Sequence, residues 1–434
     1  MPRGPPGRAD MGRVYWSFIK DPIYGYIRIT DVERDVIDSL PVQRLRRIRQ
    51  LSGAEYVYPA ANHTRFEHSL GTMFLAGALA ESLPVGLSDF EIQRMRLAAL
   101  LHDVGHAPFS HLLEPVLMKY FNVNHETMTE RIIAESDLAD ILGKCGFDAK
   151  ELSKLAVGRL EEPNRRFLDQ VIRSSIDVDK MDFLVRDSYH TGAGYGHFDV
   201  FRLIYTMDVL DDNLAVDLTA LPTLEAFILA RLESFRAIYF HKTSRAAQLM
   251  LLKALEAAKD EIGLMELRDL DYYLAADDAS IWSALCKCRA SAPVMEDLRR
   301  RRLLKCAYER TFFVEEELIS SLLTNEGVRE KVREEISEEA GLSPDEVYID
   351  VPTLPSVPYN RAMELAPMEI PIFMRGRGGR KVSKSLLEVS KVISVLRSFM
   401  NIIRIYSHEK HRDSVGRAAE RVLGSPPLSS VVSY

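Results

Sequence analysis

Apolar residues recur every three to four positions through most of the first 265 residues, the spacing of one buried helix face. This period predicts helices over residues 65–83, 89–103, 111–121, 127–135, 164–188 and 221–256. After Pro41, the run VQRLRRIRQL sets Leu45, Ile48 and Leu51 on a helical stripe with basic residues between them. Before it, DPIYGYIRIT (21–30) combines Pro, Gly and β-branched residues and predicts a short hairpin or extended entry. The last third changes character. Helices continue from Ala276 to about residue 304, then CAYERTFFV, VYIDVP and EIPIFM read as strands, and Pro352, Pro355 and Pro358 exclude a helix among them. A closing helix is expected over 385–407. The pattern predicts a mainly α chain in four parts: a loose arm over 1–20, a helical domain over 21–265, an α+β appendage over 266–420 with a regulatory or oligomerisation role, and a loose tail over 421–434.

Length and composition narrow the class. A chain of 434 residues exceeds one comfortable core. Lys and Arg number 56 against 63 Asp and Glu, giving a formal charge of −7 that argues against a surface generally coated by nucleic acid. Two basic clusters stand out locally. LRRRRLLK (298–305) reads as a solvated helix face, whereas RGRGGRK (375–381) is Gly-rich and loop-like, suited to a nucleotide or nucleic-acid phosphate but without interleaved aromatics. Cys145, Cys286, Cys288 and Cys306 are few and irregular, so no disulfide framework is expected and a cytoplasmic location fits. The opening MPRGPPGRAD lacks the apolar stretch of a targeting segment, and no apolar run reaches membrane-spanning length.

Three segments carry the chemistry. LLHDVGHAPFSH (100–111) ends an apolar helix on His102 and Asp103, with His106 one turn on and His111 opening the next run. A bare Asp in such apolar company is costly unless it is paired or metal-bound; the bland alternative is a capping Asp with histidines satisfied by carbonyls. ANHTRFEHSLGT (61–72) places Arg65 and His68 three apart on one helix side, a cation beside a candidate ligand. SSIDVDKMDFLVRDSYHTG (174–192) strings Asp177, Asp179, Asp182 and Asp187 along one predicted helix, more carboxylates than a solvated face needs. Asp179 is the expected ligand there, and Asp177 is expected to cap the helix start. His68, His102, Asp103 and Asp179 form a mixed N/O set suited to a divalent ion such as Mn, Mg, Fe, Ni or Zn.

Together these segments resemble the HD-domain superfamily of metal-dependent phosphohydrolases, and within it the deoxynucleoside triphosphate triphosphohydrolases, which include bacterial dGTPases and a vertebrate enzyme joining a SAM domain to an HD domain. The resemblance is strong over about residues 20–260 and looser over 295–375. It implies a helical HD fold with His68, His102, Asp103 and Asp179 on the metal, and water attack at the α-phosphorus to release a deoxynucleoside and triphosphate. It also implies that His106, His111 and His125 lie near the phosphates and that one of them protonates the leaving 5′-oxygen; His111 is favoured, His125 second. Arg65, Lys180 and Arg231 would neutralise phosphates, Gln50, Leu51 and Asp187 would hold the sugar, and Tyr239 would pack beneath it. Asp38, Gln43 and Arg46 match residues that read a regulatory GTP or dGTP, which implies a homo-oligomer, dimer or tetramer; taken alone they are a helix cap and two solvated polar residues. Phe183 and Phe240 replace a tyrosine and a glutamine of the vertebrate enzyme, and Glu114 replaces an aspartate. The alternatives are a phosphohydrolase for a ribonucleotide, guanosine polyphosphate or monophosphate, and a nucleotide- or nucleic-acid-binding protein without turnover.

Overall fold

A hairpin opens the chain in the computed structural model, which describes residues 13–312, 325–352, 371–376, 380–395 and 401–425. Its strands β1 (Tyr15–Asp21) and β2 (Gly25–Thr30) pair antiparallel. Residues 15–20, expected to end a loose arm, are therefore ordered, because alternate side chains of β1 turn inward toward the helices. Helices α1 (Asp31–Ile37) and α2 (Leu40–Arg44) follow. Next come α3 (Arg65–Ser82) and α4 (Asp89–Leu101), each opened by a capping box: Thr64 with Glu67, and Ser88 with Glu91. Then come α5 (Glu114–Phe121), α6 (His125–Glu135), α7 (Asp137–Lys144), α8 (Ala149–Ala156), α9 (Arg166–Ile172), α10 (Val178–Thr191) and α11 (Val200–Tyr205).

The predicted helix over 164–188 is two helices. Arg173 is extended, and the Asp177 side chain caps α10 by accepting the Lys180 amide at 2.8 Å, so the chain restarts there. The predicted helix over 221–256 is likewise divided into α12 (Leu221–Ser234), a π-helical turn (Phe235–Tyr239) and α13 (Lys242–Ala258), which His241 caps. Such π turns often mark functional sites.

The main core does not stop at residue 265. It runs on through α14 (Leu270–Ala275), α15 (Asp278–Lys287) and α16 (Ala292–Arg299), burying Tyr273, Ile281, Leu285, Met295 and Leu298, and it takes in Leu304, Ile372, Leu386, Ile393 and Tyr406. A second, smaller core packs helices Glu326–Ala340 and Arg412–Leu423 on a three-stranded antiparallel sheet ordered β5 (Lys305–Phe312), β9 (Asn401–Ser407), β6 (Tyr348–Asp350). Here the expected helix over 385–407 gives way. Two short helices, Leu386–Val389 and Lys391–Val395, are followed after 396–400 by the central strand β9. Ile402, Ile403 and Ile405 are β-branched and buried on both faces, which removes the alternation that would have announced a strand. Residues 421–423 complete the last helix rather than opening a tail; 426–434 lie outside the described residues.

A four-stranded sheet joins the expected EIPIFM strand to three that the sequence did not announce. β3 (Met207–Leu210) and β4 (Asn213–Asp217) form a hairpin, β7 (Pro371–Arg375) joins β4 in parallel, and β8 (Lys381–Ser385) closes the edge. It accounts for part of the basic segment 375–381. Lys381 Nζ lies 2.6 Å and Arg375 3.4 Å from the buried Asp208 carboxylate, so two of its cations already share one anionic partner; residues 377–379 lie outside the described residues. In the other cluster, Arg299 and Arg302 pair with Glu296 and Asp297 at 3.2 and 2.7 Å on an exposed face.

Candidate metal centre and its histidine rim

Four side chains from three helices gather here: donor atoms of His68, His102 and Asp103 lie within 4.8 Å of one another, and Asp179 approaches both imidazoles. His68 stands in the first turns of α3, His102 caps the C-terminal end of α4 with Asp103 beside it, and Asp179 lies in the first turn of α10. His68 Nε2 is 3.0 Å from Asp179 Oδ1 and 3.6 Å from Asp103 Oδ2. His102 Nε2 is 3.3 Å from Asp103 Oδ1 and 3.6 Å from Asp179 Oδ1. Metal–donor bonds of about 2.1 Å put neighbouring donors about 3.0 Å apart at a right angle and about 3.4 Å apart at the tetrahedral angle. The observed separations fit.

The chemistry of each donor agrees. His102 Nδ1 lies 2.7 Å from the Ala99 carbonyl, which can only accept, so Nδ1 carries the hydrogen and Nε2 presents its lone pair. That Nε2 is buried and makes no hydrogen bond. An orphaned nitrogen aimed between two carboxylates suits a cation. His68 Nδ1 lies 2.7 Å from Asp182 Oδ2, leaving its Nε2 for the shared point. Asp182 is in turn held by Arg186 at 2.8 and 2.9 Å, and Arg186 donates at 2.9 Å to Asp21 at the end of β1. A Cβ at Gly71 would collide with the Asp182 carboxylate, so only glycine lets α10 approach α3 this closely. Burial works against charge on His68, yet its bonds to Asp179 and Asp182 hold the imidazole up to about 10. Burial likewise opposes ionisation of Asp103, but Arg65 and the imidazoles of His102 and His106 hold its carboxyl well below the usual range. Positive charge is favoured here, and a divalent ion supplies it while displacing protons.

A second cluster rims the first. The rings of His106 and His125 stack with centroids 4.3 Å apart, and His111 stands edge-on to both at 4.7 and 5.3 Å. Glu114 binds two of them, with His125 Nδ1 2.7 Å from Oε1 and His111 Nδ1 3.0 Å from Oε2. His106 Nε2 instead lies 3.2 Å from Asp103 Oδ1. Burial and then Arg65 push His106 well below the ordinary imidazole value. His111 is displaced downward as well by the protein around it and by Arg65 and His125, though its side chain is 49% exposed and water moderates this. Gly105 lets this loop meet α6, because a Cβ there would strike the Thr129 backbone; the Thr129 hydroxyl bridges the Gly105 amide and the His102 carbonyl at 3.0 Å each.

Residues 65–187, which carry all four converging donors, match the HD domain family, and residues 198–429 match the family described as HD associated region. The chain belongs to the HD-domain family. HD domains bind divalent metals, and His68, His102 and Asp103 are a candidate group for such an ion here. An uncharacterized protein of Methanocaldococcus jannaschii is 34% identical over 301 residues, 68% of this chain and 60% of that protein. The deoxynucleoside triphosphate triphosphohydrolase SAMHD1 of Homo sapiens is 30% identical over 306 residues, 62% of this chain and 49% of that one. The chain thus spans about half to three-fifths of these curated relatives. The crystal structure of a phosphohydrolase from Bacteroides thetaiotaomicron superposes with a TM-score of 0.71 at 26% identity, covering 91% of this chain and 99% of that one.

The remaining expected site residues of this HD-domain chain divide into two groups. Arg65 is buried against Asp103 and donates to Ser110 Oγ at 2.7 Å, and Lys180 Nζ is 2.6 Å from Asp177; both cations sit beside the centre but are already paired. Gln50, next to Leu51, has a buried side-chain oxygen without a hydrogen bond, and its backbone N–H donates to the His63 carbonyl at 3.0 Å. Arg231 is buried. Asp187, the expected sugar acceptor, is wholly buried and takes the Tyr239 hydroxyl at 2.6 Å and His63 Nε2 at 2.7 Å, one on each oxygen. Phe183 meets Tyr239 edge-on at 6.1 Å, while Phe240 turns away to pack with Phe235 and Ile402. Asp38, Gln43 and Arg46 lie on a separate patch at α1 and α2, where Arg46 donates to Gln43 at 2.9 Å and covers the Phe66 ring at 3.6 Å. Sequence reasoning gave no role to Asp182, Arg186, Asp21 or His63; the i,i+4 Asp182–Arg186 pair was the one signal available.

Proposed function

We propose that this protein is a metal-dependent phosphohydrolase that cleaves deoxynucleoside triphosphates to deoxynucleoside and triphosphate. The observation that carries the reading is the convergence of His68, His102, Asp103 and Asp179 beside three histidines oriented by Glu114 and Asp103. The four ligands would hold a divalent ion, which when bound polarises a phosphoryl oxygen and lowers the pKa of water. The protein's own groups supply the rest. Hydrolysis at the α-phosphorus breaks its bond to the 5′-oxygen, and that oxygen needs a proton. His111 is the donor favoured here, since Glu114 fixes its Nδ1 and leaves Nε2 at the open rim. Arg65 and Lys180 would hold the polyphosphate, and Tyr239, fixed by Asp187, would underlie the sugar and oppose a 2′-hydroxyl. A regulatory guanine nucleotide at Asp38, Gln43 and Arg46, within a homo-oligomer, belongs to the same reading.

A second reading, hydrolysis of another nucleotide, is favoured by Phe183, whose ring offers a phosphate no hydroxyl. Product analysis separates the two. The full chain with Mn²⁺ or Mg²⁺ is incubated with each dNTP and NTP; triphosphate plus deoxynucleoside is expected, and orthophosphate, pyrophosphate or monophosphate products would overturn the assignment. Asp179→Ala should abolish turnover while leaving the helical circular dichroism signal unchanged.

A further inference from the structure

The loop that carries His106 and His111 is held in a shape its own sequence does not favour. Phe109 and Ser110 are consecutive non-glycine residues with φ of 62° and 55°. Each left-handed residue of this kind costs about 1–2 kcal/mol, so the conformation persists only where surrounding bonds impose it. Those bonds come from far along the chain. Asp278, the first residue of α15, accepts the Phe109 amide on Oδ1 at 2.7 Å and the Arg49 amide on Oδ2 at 3.0 Å. The Tyr273 hydroxyl donates to the Gly105 carbonyl at 2.6 Å. The wholly buried Arg44 spans the two segments, donating to the His106 carbonyl at 2.8 Å and to the Ala276 carbonyl at 2.9 Å. Asp277 adds a 2.6 Å ion pair to Arg47.

We infer that Asp278 is a positioning residue: with Tyr273 and Arg44 it clamps the 103–111 loop so that His106 and His111 face the reacting phosphate. Asp278 touches no metal ligand and stands behind the loop rather than in the pocket. A carboxylate is the side chain this role needs, because its two oxygens accept two backbone amides at once. An asparagine in its place accepts one amide and turns an NH₂ against the other. The loop then relaxes toward ordinary backbone angles, carrying the imidazoles with it. The consequence for turnover rests on the phosphohydrolase reading; the clamp itself does not.

The test compares the wild-type full chain with Asp278→Asn and with Tyr273→Phe, which deletes a single hydroxyl. In the Mn²⁺-loaded proteins, hydrogen exchange followed by mass spectrometry should accelerate in peptides covering 103–113 and 44–52 and stay unchanged in α3, α4 and α10. On the nucleotide that wild type hydrolyses, kcat should fall about 10- to 100-fold with KM within about threefold, Mn²⁺ affinity should be retained, and Asp278→Glu should recover part of the rate. Wild-type exchange in both variants would overturn the clamp, and so would a kcat loss accompanied by equal loss of Mn²⁺ binding. If wild type hydrolyses no nucleotide, the proposed function fails, and the exchange measurement still decides the clamp.

Discussion

His63 and His190 stack at 4.4 Å beside the Asp187–Tyr239 pair, and the titration of His190 has a consequence outside the metal centre. Burial first, then His63 and Arg186, push His190 down to about 4. Unfolded histidine titrates near 6.5, so between about pH 6.5 and 4 the unfolded chain binds this proton and the folded chain resists it. The group's contribution to stability is complete above about pH 6.5 and is lost as pH falls toward 4. His190→Gln should therefore flatten the decline in Tm between about pH 7 and 4.5; a variant whose Tm falls as steeply as wild type would show that another group governs the loss. Legibility at this scale followed distance along the chain. The four candidate donors could be read because each sits in a compact local motif. Their supports could not, since the Asp182 partner of His68 is 114 positions away and the Asp278 partner of Phe109 is 169 away.

Helices α3 and α10 are set face to face by a missing side chain. At Gly71 a methyl group would enter the space of the Asp182 carboxylate and the Arg186 guanidinium, both fully buried, so neither can swing into solvent. Gly71→Ala is expected to cost about 1–3 kcal/mol by overpacking and to weaken Mn²⁺ binding, because the shift passes through Asp182 to His68. Denaturant titration and Mn²⁺ calorimetry check both, and unchanged affinity would separate helix spacing from the metal. Elements with strong local signals were readable in the sequence: α3 and α4 have long periods and capping boxes at their starts. Some short elements, and those buried on all sides, were not, although VYIDVP and EIPIFM announced β6 and β7. Strands β3 and β4 span four and five residues, too few to establish a period, and β9 is buried on both of its faces.

Across the whole molecule, the C-terminal sheet reaches the site through the π-helical turn. Arg404 on the central strand β9 is buried, pairs with Glu309 on β5, and donates to the Phe240 carbonyl next to Tyr239, while Ile402 packs on Phe235, Phe240 and Tyr239. Arg404→Met should cost about 3–5 kcal/mol, since Glu309 is left without its buried partner, and should lower kcat by loosening the seat of Tyr239. Urea unfolding and turnover on the same preparation test this; full activity in a destabilised variant would confine the sheet to a structural role.

The bonds from Tyr273 and Asp278 into the 103–111 loop, with Asp21 closing on Arg186 from the other end of the chain, bear on how such proteins can be taken apart. Residues 65–187 form a recognisable unit of descent but not a self-sufficient one. Its reactive loop takes its shape from a segment after it and one of its ligand supports from a strand before it. A graft or insertion that respects only the edges of the shared motif would carry the ligands across and leave their scaffolding behind.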